Sequence, residues 1–297
     1  MDDGRPAWAA VIVNHDAGPL LERCVRSVLA DGSAGPVDVV VVDNASGDGS
    51  AQALDALGLP VRVVDAGGNL GYARAANLGI AHTSTPVVAV LNPDTELRSG
   101  AAGVLLARLA AEPELGAVGP RIDDALGRHY PSARSVPMVR DAVGHAAFGW
   151  IRPENPWTTR YRQLDVDPDV ARDVAWVSGA AIWLRRAALD AVGGWDERYF
   201  MYVEDLDLCW RLGRAGWRVA YDPRARVVHV QGVSTARRPY RMIVEHHRSA
   251  LRFAARRLTG WRRVLLPVAA VFFGARAVVA LGVHALRARR RPHGLTG

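Results

Sequence analysis

The chain has 297 residues, of which 49% are hydrophobic and 23% are charged. This balance allows a sizeable buried core and excludes an intrinsically disordered protein. The two cysteines, Cys24 and Cys209, are far apart and form no CxxC pattern, so neither a disulfide framework nor a structural zinc site is indicated. The N-terminus is acidic and has no apolar signal core, and we therefore expect a reducing cytoplasmic setting.

The net charge of +7 is unevenly distributed, and every basic residue is an arginine. From residue 237 to the end there are 14 arginines and one acidic residue, which gives a net charge of +13. The first 236 residues hold 23 basic and 29 acidic residues, which gives −6. We therefore expect a weakly acidic domain over residues 1–236 and a basic extension over residues 237–297.

The first 120 residues alternate short apolar runs with segments of helical spacing. Strands are predicted at Trp8–Val13, Val37–Val42, Val61–Val64 and Pro86–Leu91. Helices are predicted at Leu20–Leu29, Tyr72–Ala81 and Ser99–Ala111. This order predicts an α/β fold with a mostly parallel central sheet covered on both faces. Such sheets bind ligands beyond the carboxyl ends of their strands.

The second half of the domain is less regular. Residues 121–175 are rich in proline, arginine and aromatic residues, which predicts an insertion packed over the sheet. Further strands are predicted at Trp176–Leu184, Trp217–Tyr221 and Arg226–Val230, and helices at Arg185–Val192 and Val203–Ala215.

The basic extension begins with a predicted helix, Tyr240–Leu258, followed by the apolar run Val264–Leu286. This run is near membrane-spanning length, but Arg276 in its middle makes a single span costly. Arginines on both flanks favour a helix lying on an anionic membrane surface. The alternative is an amphipathic helix that packs on the body or on a second subunit.

Three carboxylates fall within four residues, at Glu204, Asp205 and Asp207, next to the apolar residues 200–203. Carboxylates in such surroundings are typically paired, bind a metal or act chemically. A buried one can serve as a general base toward a hydroxyl. The alternative is an acidic first turn that favours the helix dipole. A P-loop is excluded, and no GxGxxG follows the first strand, which argues against a Rossmann dinucleotide site.

Five motifs occur in order along the domain: VIVNHD at 11–16, VVDNASGDGS at 41–50, GGNLGYARAANLGI at 67–80, LNPDTEL at 91–97 and GGWDERYFMYVEDLDLCWRLGRAGW at 193–217. Together they resemble the family 2 inverting glycosyltransferases, which have the GT-A fold. The resemblance implies a GT-A catalytic domain at 1–236, with 121–175 on the acceptor side. The QxxRW motif of processive members is absent, which implies transfer of single sugars.

Three further segments, 130–134, 155–163 and 245–249, are similar to rhamnosyltransferases of this family. This similarity implies dTDP-L-rhamnose as donor, polyprenyl-diphosphate-linked N-acetylglucosamine as acceptor, and peripheral attachment to the cytoplasmic face of the plasma membrane. The alternatives are another sugar, such as galactofuranose, and a non-catalytic sugar-nucleotide sensor or scaffold. No nucleic-acid partner is expected, because the arginine-rich tail lacks interleaved aromatic residues. The sequence leaves the oligomeric state open, and a homo-oligomer is one of the alternatives.

The resemblance also implies a divalent metal, Mg²⁺ or Mn²⁺, held by Asp94 against the donor diphosphate. Asn92 replaces the first carboxylate of the usual acidic motif and is expected to contact ribose or phosphate. His229 is expected to complete the metal shell. The alternatives are an Asx-Pro turn at 92–94 and a purely structural histidine.

The remaining roles follow from the same resemblance. Asp205 is the expected general base, and Glu204 orients the acceptor or tunes Asp205, while Asp207 is structural. The donor is expected to contact Asn14, Asp43, Asn69, Gly71, Arg74, Asn77 and Asn92. Residues expected near acceptor or phosphate are Arg134, Arg160, Arg162, His247 and Arg248, and the alternative for these is a basic surface. Arg74 is equally consistent with a solvated helix residue, and Asp43 with a turn.

Overall fold

A computed structural model of the chain describes residues 7–135, 152, 155–230 and 239–290. The middle of the predicted insertion and the predicted domain boundary at 236 lie outside the described residues. The fold is mixed α/β, as the sequence predicted.

The first half of the domain forms parallel strands with helices between them. The strands are β1 (Trp8–Asn14), β2 (Val37–Asp43), β3 (Val61–Asp65) and β4 (Val87–Leu91). The helices are α1 (Pro19–Ala30), α2 (Ser50–Asp55), α3 (Tyr72–Ala81) and, after the short strand β5 (Thr95–Leu97), α4 (Ala101–Ala111). The predicted strands are thus confirmed to within a residue or two, whereas α2 and β5 were not predicted.

The second half adds strands of both directions. These are β6 (Leu115–Asp123), β7 (His129–Tyr130), β8 (Ala133–Arg134), β9 (Arg172–Asp173), β10 (Trp176–Val177), β11 (Ala181–Arg185) and β12 (Arg218–His229). The helices are α5 (Pro156–Arg162), α6 (Arg186–Val192) and α7 (Glu204–Arg214).

The sheet order is β3-β2-β1-β4-β11-β6-β12-β5, with β7 beside β6 and β9 beside β12. β11 runs antiparallel between β4 and β6, and β12 is parallel to β6. The long strands other than β11 therefore share one direction, and their carboxyl ends meet at one edge. β1 carries no exposed residue because helices cover both of its faces, which explains its unbroken apolar sequence.

Three predicted strands, in two regions of the chain, differ from those in the structure. The segment Trp176–Leu184 is not one strand but β10 and β11, because the chain leaves the main sheet so that β10 pairs with β8 instead. Conversely, the two strands predicted between 217 and 230 form the single strand β12. Its register shifts between Asp222 and Arg226, around Pro223, which has no N–H for the ladder.

The extension forms α8 (Pro239–Arg257), a 3₁₀ turn (Gly260–Leu265) and α9 (Leu266–Arg290). α9 folds back along α8: Arg276 Nη1 lies 3.0 Å from His247 Nε2, and the rings of Tyr240 and His284 are 5.0 Å apart. The polar residues that interrupt the apolar run therefore face α8. The stretch Gly260–Leu286 is long and apolar enough to cross a membrane by length and composition, and its apolar window is unburied in the fold.

Candidate active site

The ends of β1 and β2 place Asn14 beside Asp43, as the parallel register requires. Asn14 is fully buried, and its Nδ2 lies 3.2 Å from Asp43 Oδ1 and 3.0 Å from both Ser46 Oγ and Ser50 Oγ. Asp43 also accepts a hydrogen bond from the backbone N–H of Ser46 at 3.4 Å. Asn14 thus orients Asp43 at the site edge from within the core.

The loop before α3 is tied to this edge by side chains that the sequence analysis did not single out. His15 Nδ1 lies 3.0 Å from the carbonyl oxygen of Asn44, and its Nε2 lies 3.2 Å from Asn69 Nδ2. Asn44 Oδ1 accepts from the N–H of Leu70 at 2.8 Å, and Asn69 Oδ1 accepts from that of Gly71 at 3.1 Å. The two residues that the sequence analysis missed are His15 and Asn44, and the signal for both was their position just after a predicted strand.

Gly71 has a different role from the predicted approach to a ligand. Its φ is +82°, and a Cβ there would collide with the carbonyl oxygen of Phe200. The same oxygen accepts from the N–H of Tyr72 at 2.7 Å. The glycine is therefore required for close packing of the loop that precedes the acidic pair.

Asn77 and Arg74 on α3 also contact other parts of the protein, at residues 195 and 197. Asn77 Oδ1 accepts from the N–H of Trp195 at 3.0 Å, and its Nδ2 donates to the Trp195 carbonyl at 2.9 Å and to Glu197 at 3.2 Å. Both polar atoms of the Asn77 amide are thus used on the 193–197 turn, and its predicted donor contact finds no support in these contacts. Arg74 Nε pairs with Glu197 at 3.2 Å, and both side chains are about half exposed.

The predicted metal ligands lie together at the ends of β4 and β12. His229 Nε2 is 3.1 Å from Asp94 Oδ1 and 3.3 Å from Asn92 Nδ2. Asp94 is buried, and among the described residues His229 Nδ1 is buried without a hydrogen-bond partner. No third histidine, cysteine or carboxylate joins these residues within the described ranges.

The acidic pair begins α7 after a strained turn. Tyr202 and Val203 have φ values of +67° and +70°, a region that β-branched and bulky residues rarely adopt. Such strain is typically found where a functional side chain must be aimed. Asp205 Oδ1 accepts from the N–H of Leu206 at 2.8 Å, and its Oδ2 accepts from the N–H of Gly179 at 2.9 Å.

The pKa values of both acids are raised, but that of Glu204 is raised further. Burial, followed by the charge of Asp205, raises the pKa of Glu204 well above its usual range. Burial also raises the pKa of Asp205, but its two backbone hydrogen bonds and the charge of Arg134 oppose this shift. Glu204 Oε2 is buried without a partner in the described part of the chain. Of the two, Glu204 is therefore the acid that holds its proton more strongly.

Residues 179 and 180 link this pair to the metal-ligand candidates. The N–H of Gly179 holds Asp205, while the carbonyl oxygen of Ala180 accepts from the N–H of Asn92 at 2.8 Å. Tyr72 donates its hydroxyl to the Gly179 carbonyl at 2.7 Å. The chain thus brings the acidic pair and the 92–94 motif to the same end of the sheet.

The predicted acceptor-side residues are not all at this place. The charge of Arg134 acts on Asp205, whereas Arg160 and Arg162 are exposed residues of α5. His247 is buried, with Nδ1 2.7 Å from the Ile243 carbonyl oxygen and Nε2 next to Arg276. Both of its ring nitrogens are occupied, so the prediction that it contacts a phosphate finds no support.

Arg248 is 72% exposed and pairs with Glu245 at 3.3 Å, a surface contact on α8. It lies one position after the buried His247, on the side of the helix that faces solvent.

α8 packs against α7. Arg256 Nη1 lies 2.6 Å from Oδ1 of the fully buried Asp207 and 2.9 Å from Asp196. Ser249 Oγ donates to the carbonyl oxygen of Met201 at 2.9 Å. Asp207 is structural, as predicted, and the first helix of the extension is part of the site's support.

Comparison with known proteins agrees with this geometry. The fold is similar to the mannosyltransferase PcManGT from Pyrobaculum calidifontis in complex with GDP-Man and Mn²⁺, with a TM-score of 0.58, 19% identity, and coverage of 97% of this chain and 82% of that one. It is also similar to GalNAc-T7 with UDP, GalNAc and Mn²⁺, with a TM-score of 0.57, 18% identity, and coverage of 77% and 44%.

Relatives in sequence are more specific. The chain is 41% identical over 267 residues to the N-acetylglucosaminyl-diphospho-decaprenol L-rhamnosyltransferase of Mycobacterium tuberculosis (strain ATCC 25618 / H37Rv), and the match covers 86% of each protein. It is 34% identical over 193 residues to the pre-mycofactocin glycosyltransferase of the same strain, which covers 64% of this chain and 37% of that protein. The family model "Glycosyl transferase family 2" matches residues 9–193, and "Glycosyl transferase family group 2" matches residues 140–285.

The sheet, its polar strand ends and the acidic pair above them define a GT-A fold, that of nucleotide-sugar transferases. The chain belongs to glycosyl transferase family 2 and is a glycosyltransferase.

The support that α8 gives to the site can be tested by Arg256→Met. Asp207 would keep Arg211 but lose one of its two cations, so we expect the free energy of unfolding to fall by about 1–3 kcal/mol. Arg248→Met on the same helix removes an exposed ion pair and should change the free energy of unfolding by less than about 0.5 kcal/mol. Urea unfolding followed by circular dichroism measures the free energy of unfolding of both variants. Equal losses in the two variants would contradict a stabilising role of Arg256.

Proposed function

We propose that this chain transfers L-rhamnose from dTDP-L-rhamnose to N-acetylglucosamine linked to a polyprenyl diphosphate, with inversion at the anomeric carbon. The observation that carries the chemistry is the carboxylate of Asp205, held by two backbone N–H groups next to the 92–94 motif. The 41% identity to the mycobacterial rhamnosyltransferase, over 86% of both chains, supports the choice of donor and acceptor.

The donor nucleotide is expected to lie across the ends of β1 and β2. Asp43, oriented by Asn14, can accept hydrogen bonds from a pyrimidine N–H or a ribose hydroxyl. Asn69 and the backbone at the start of α3 face the diphosphate, where helix N–H groups favour negative charge. Asn92 adds an amide at the same edge. Arg74 can turn from Glu197 to phosphate, because that ion pair is exposed.

Asp94 and His229 fit a divalent cation. Adjacent ligands of an octahedral cation lie about 3 Å apart, given metal–oxygen distances of about 2.1 Å, and Asp94 Oδ1 and His229 Nε2 are 3.1 Å apart. The Asn92 amide lies beside the same ring nitrogen, with Nδ2 3.3 Å from His229 Nε2. When bound, Mg²⁺ or Mn²⁺ supplies positive charge to the departing diphosphate. The two protein ligands leave positions for phosphate oxygens.

Asp205 is the proposed base. It takes the proton from the acceptor hydroxyl as that oxygen forms a bond to the anomeric carbon. The bond from this carbon to the diphosphate oxygen breaks at the same time, and its electron pair leaves with dTDP. Glu204, kept protonated by burial and by the charge of Asp205, can donate a hydrogen bond to an acceptor oxygen.

Replacing Asp205 by Asn should reduce transfer by about 10²–10⁴-fold, because the amide cannot accept the proton. A transfer assay with labelled dTDP-rhamnose and a short-chain N-acetylglucosaminyl-diphospho-prenol measures this loss, and dTDP binding by calorimetry should stay unchanged as the control. A variant that keeps full activity would remove Asp205 from the mechanism. Wild-type turnover only with another nucleotide sugar would favour the alternative specificity, and none with any sugar would favour a sensor or scaffold.

His229→Ala should raise the Mn²⁺ concentration needed for half-maximal activity by at least about tenfold, because one of the two protein ligands is lost. Titration of metal into the chelator-treated enzyme measures this constant. His15→Ala is the matched control, since it removes a histidine at the same sheet edge that contacts Asn44 and Asn69 instead. An unchanged metal requirement in His229→Ala would argue that this histidine is structural.

The extension suits a lipid-linked acceptor. α9 presents a row of exposed apolar side chains, among them Val268, Val271 and Val278 at 66%, 73% and 69% exposure. The contacts of Arg276 and His284 with α8 remove the main obstacle to placing this helix against lipid. The 14 arginines after residue 236 add attraction to an anionic surface. We therefore place the protein peripherally on the membrane, at the cytoplasmic face.

The membrane surface can be tested by changing Val268, Val271 and Val278 together to Ser. Burial of each valine contributes about 1.5 kcal/mol or more, so binding to phosphatidylglycerol-containing vesicles should weaken by at least about tenfold. The control changes two exposed valines of the body, Val166 and Val170, to Ser. Cosedimentation measures both variants, and equal binding of the triple variant and wild type would exclude this face of α9.

A further inference from the structure

The guanidinium of Arg134 is enclosed by aromatic rings. Its Cζ lies 5.3 Å from the ring centre of Tyr130, 5.9 Å from that of Tyr161 and 4.9 Å from that of Trp176. Its Nε donates to the carbonyl oxygen of Pro131 at 2.8 Å, and its Nη2 donates to the Tyr130 hydroxyl at 2.7 Å. The position of this positive charge is therefore fixed before any substrate binds.

The same small sheet that carries Arg134 also holds Asp205. Arg134 on β8 pairs with Trp176 on β10, and just beyond this pair the N–H of Ser178 donates to the carbonyl oxygen of Ser132 at 2.8 Å. The next residue, Gly179, donates its N–H to Asp205 Oδ2. A Cβ at Gly179 would lie 3.1 Å from the Cβ of Asp205, so the two segments are in close contact.

Among the largest influences on Asp205, the cation is Arg134. Glu204 adjoins Asp205 on α7, Cys209 lies one turn further, Tyr72 faces it from α3 and Tyr161 from α5. Burial raises the pKa of Cys209 to about 12 and also raises those of the two tyrosines, so all three are neutral at neutral pH. Burial raises the pKa of Asp205, and the charge of Arg134 opposes it.

We propose that Arg134 is a positioning residue for the proposed base: held by Tyr130, Tyr161 and Trp176, it keeps a fixed positive charge that favours the carboxylate form of the partly buried Asp205. This inference rests on the proposed function of Asp205. It differs from a phosphate-binding role, because the rings cover the guanidinium and two of its nitrogens are already bonded within the protein.

The test compares Arg134→Gln, which removes the charge, with Arg134→Lys, which keeps it. Loss of a nearby positive charge raises the pKa of a carboxyl, so the acidic limb of the kcat/KM profile should move up by about one pH unit in Arg134→Gln. Activity should recover above the shifted limb. Arg134→Lys should stay near the wild-type limb. The control is Arg172→Gln, which removes an arginine lying 4.9 Å from the Tyr221 ring centre, away from Asp205.

A second readout needs no substrate. Carboxyl ¹³C titration of aspartate-labelled protein, with the Asp205 signal assigned by its loss in Asp205→Asn, should show the same upward shift in Arg134→Gln. Equal Asp205 titration in wild type and Arg134→Gln would overturn the inference, as would a rise in acceptor KM at every pH with the acidic limb unmoved. Absence of transfer by the wild-type protein would count against the proposed function, while the titration would still decide the role of Arg134.

Discussion

The acidic pair depends on one close contact, between the carbonyl oxygen of Phe200 and the backbone at residues 71 and 72. Because Gly71 has no Cβ, this oxygen comes near enough to accept from the N–H of Tyr72. The Tyr72 hydroxyl in turn bonds the carbonyl of Gly179, whose N–H holds Asp205. The loop expected to face the nucleotide and the loop that precedes the acidic pair are thus joined by consecutive hydrogen bonds. A shift in either loop would displace the other.

The basic extension completes this arrangement from the opposite side. Arg256 forms an ion pair with the buried Asp207, two residues after Asp205, and Ser249 donates to the carbonyl oxygen of Met201. The strained residues Tyr202 and Val203 are therefore held between the sheet and α8. The same extension presents the exposed face of α9, so the helix pair lies between the catalytic helix and the proposed membrane surface.

The sequence predicted the first half of the fold well because each parallel strand there is a continuous apolar run followed by a polar cluster. It failed at 176–184 and 217–230, where the backbone leaves or rejoins the sheet without a change in composition. The ligand contacts predicted for Gly71, Asn77 and His247 stay predictions, and within the protein these residues contact Phe200, Trp195 and Arg276. Residue type indicates which groups a side chain can bond, but not which neighbour it contacts in the folded protein.

By itself, the sequence determined the fold class, the alternation of strands and helices in the first half and the family, because these follow from hydrophobic periodicity and from motifs read along the chain. Only the tertiary structure decided which of the polar residues share a site. It brought Asp94 and His229 together from positions 135 residues apart, and it paired Arg134 with the segment that leads to Gly179 and Asp205, through a two-stranded sheet that local pattern does not reveal. The ionisation of a buried carboxylate depends on such distant charges and on burial, and both exist only once the chain has folded.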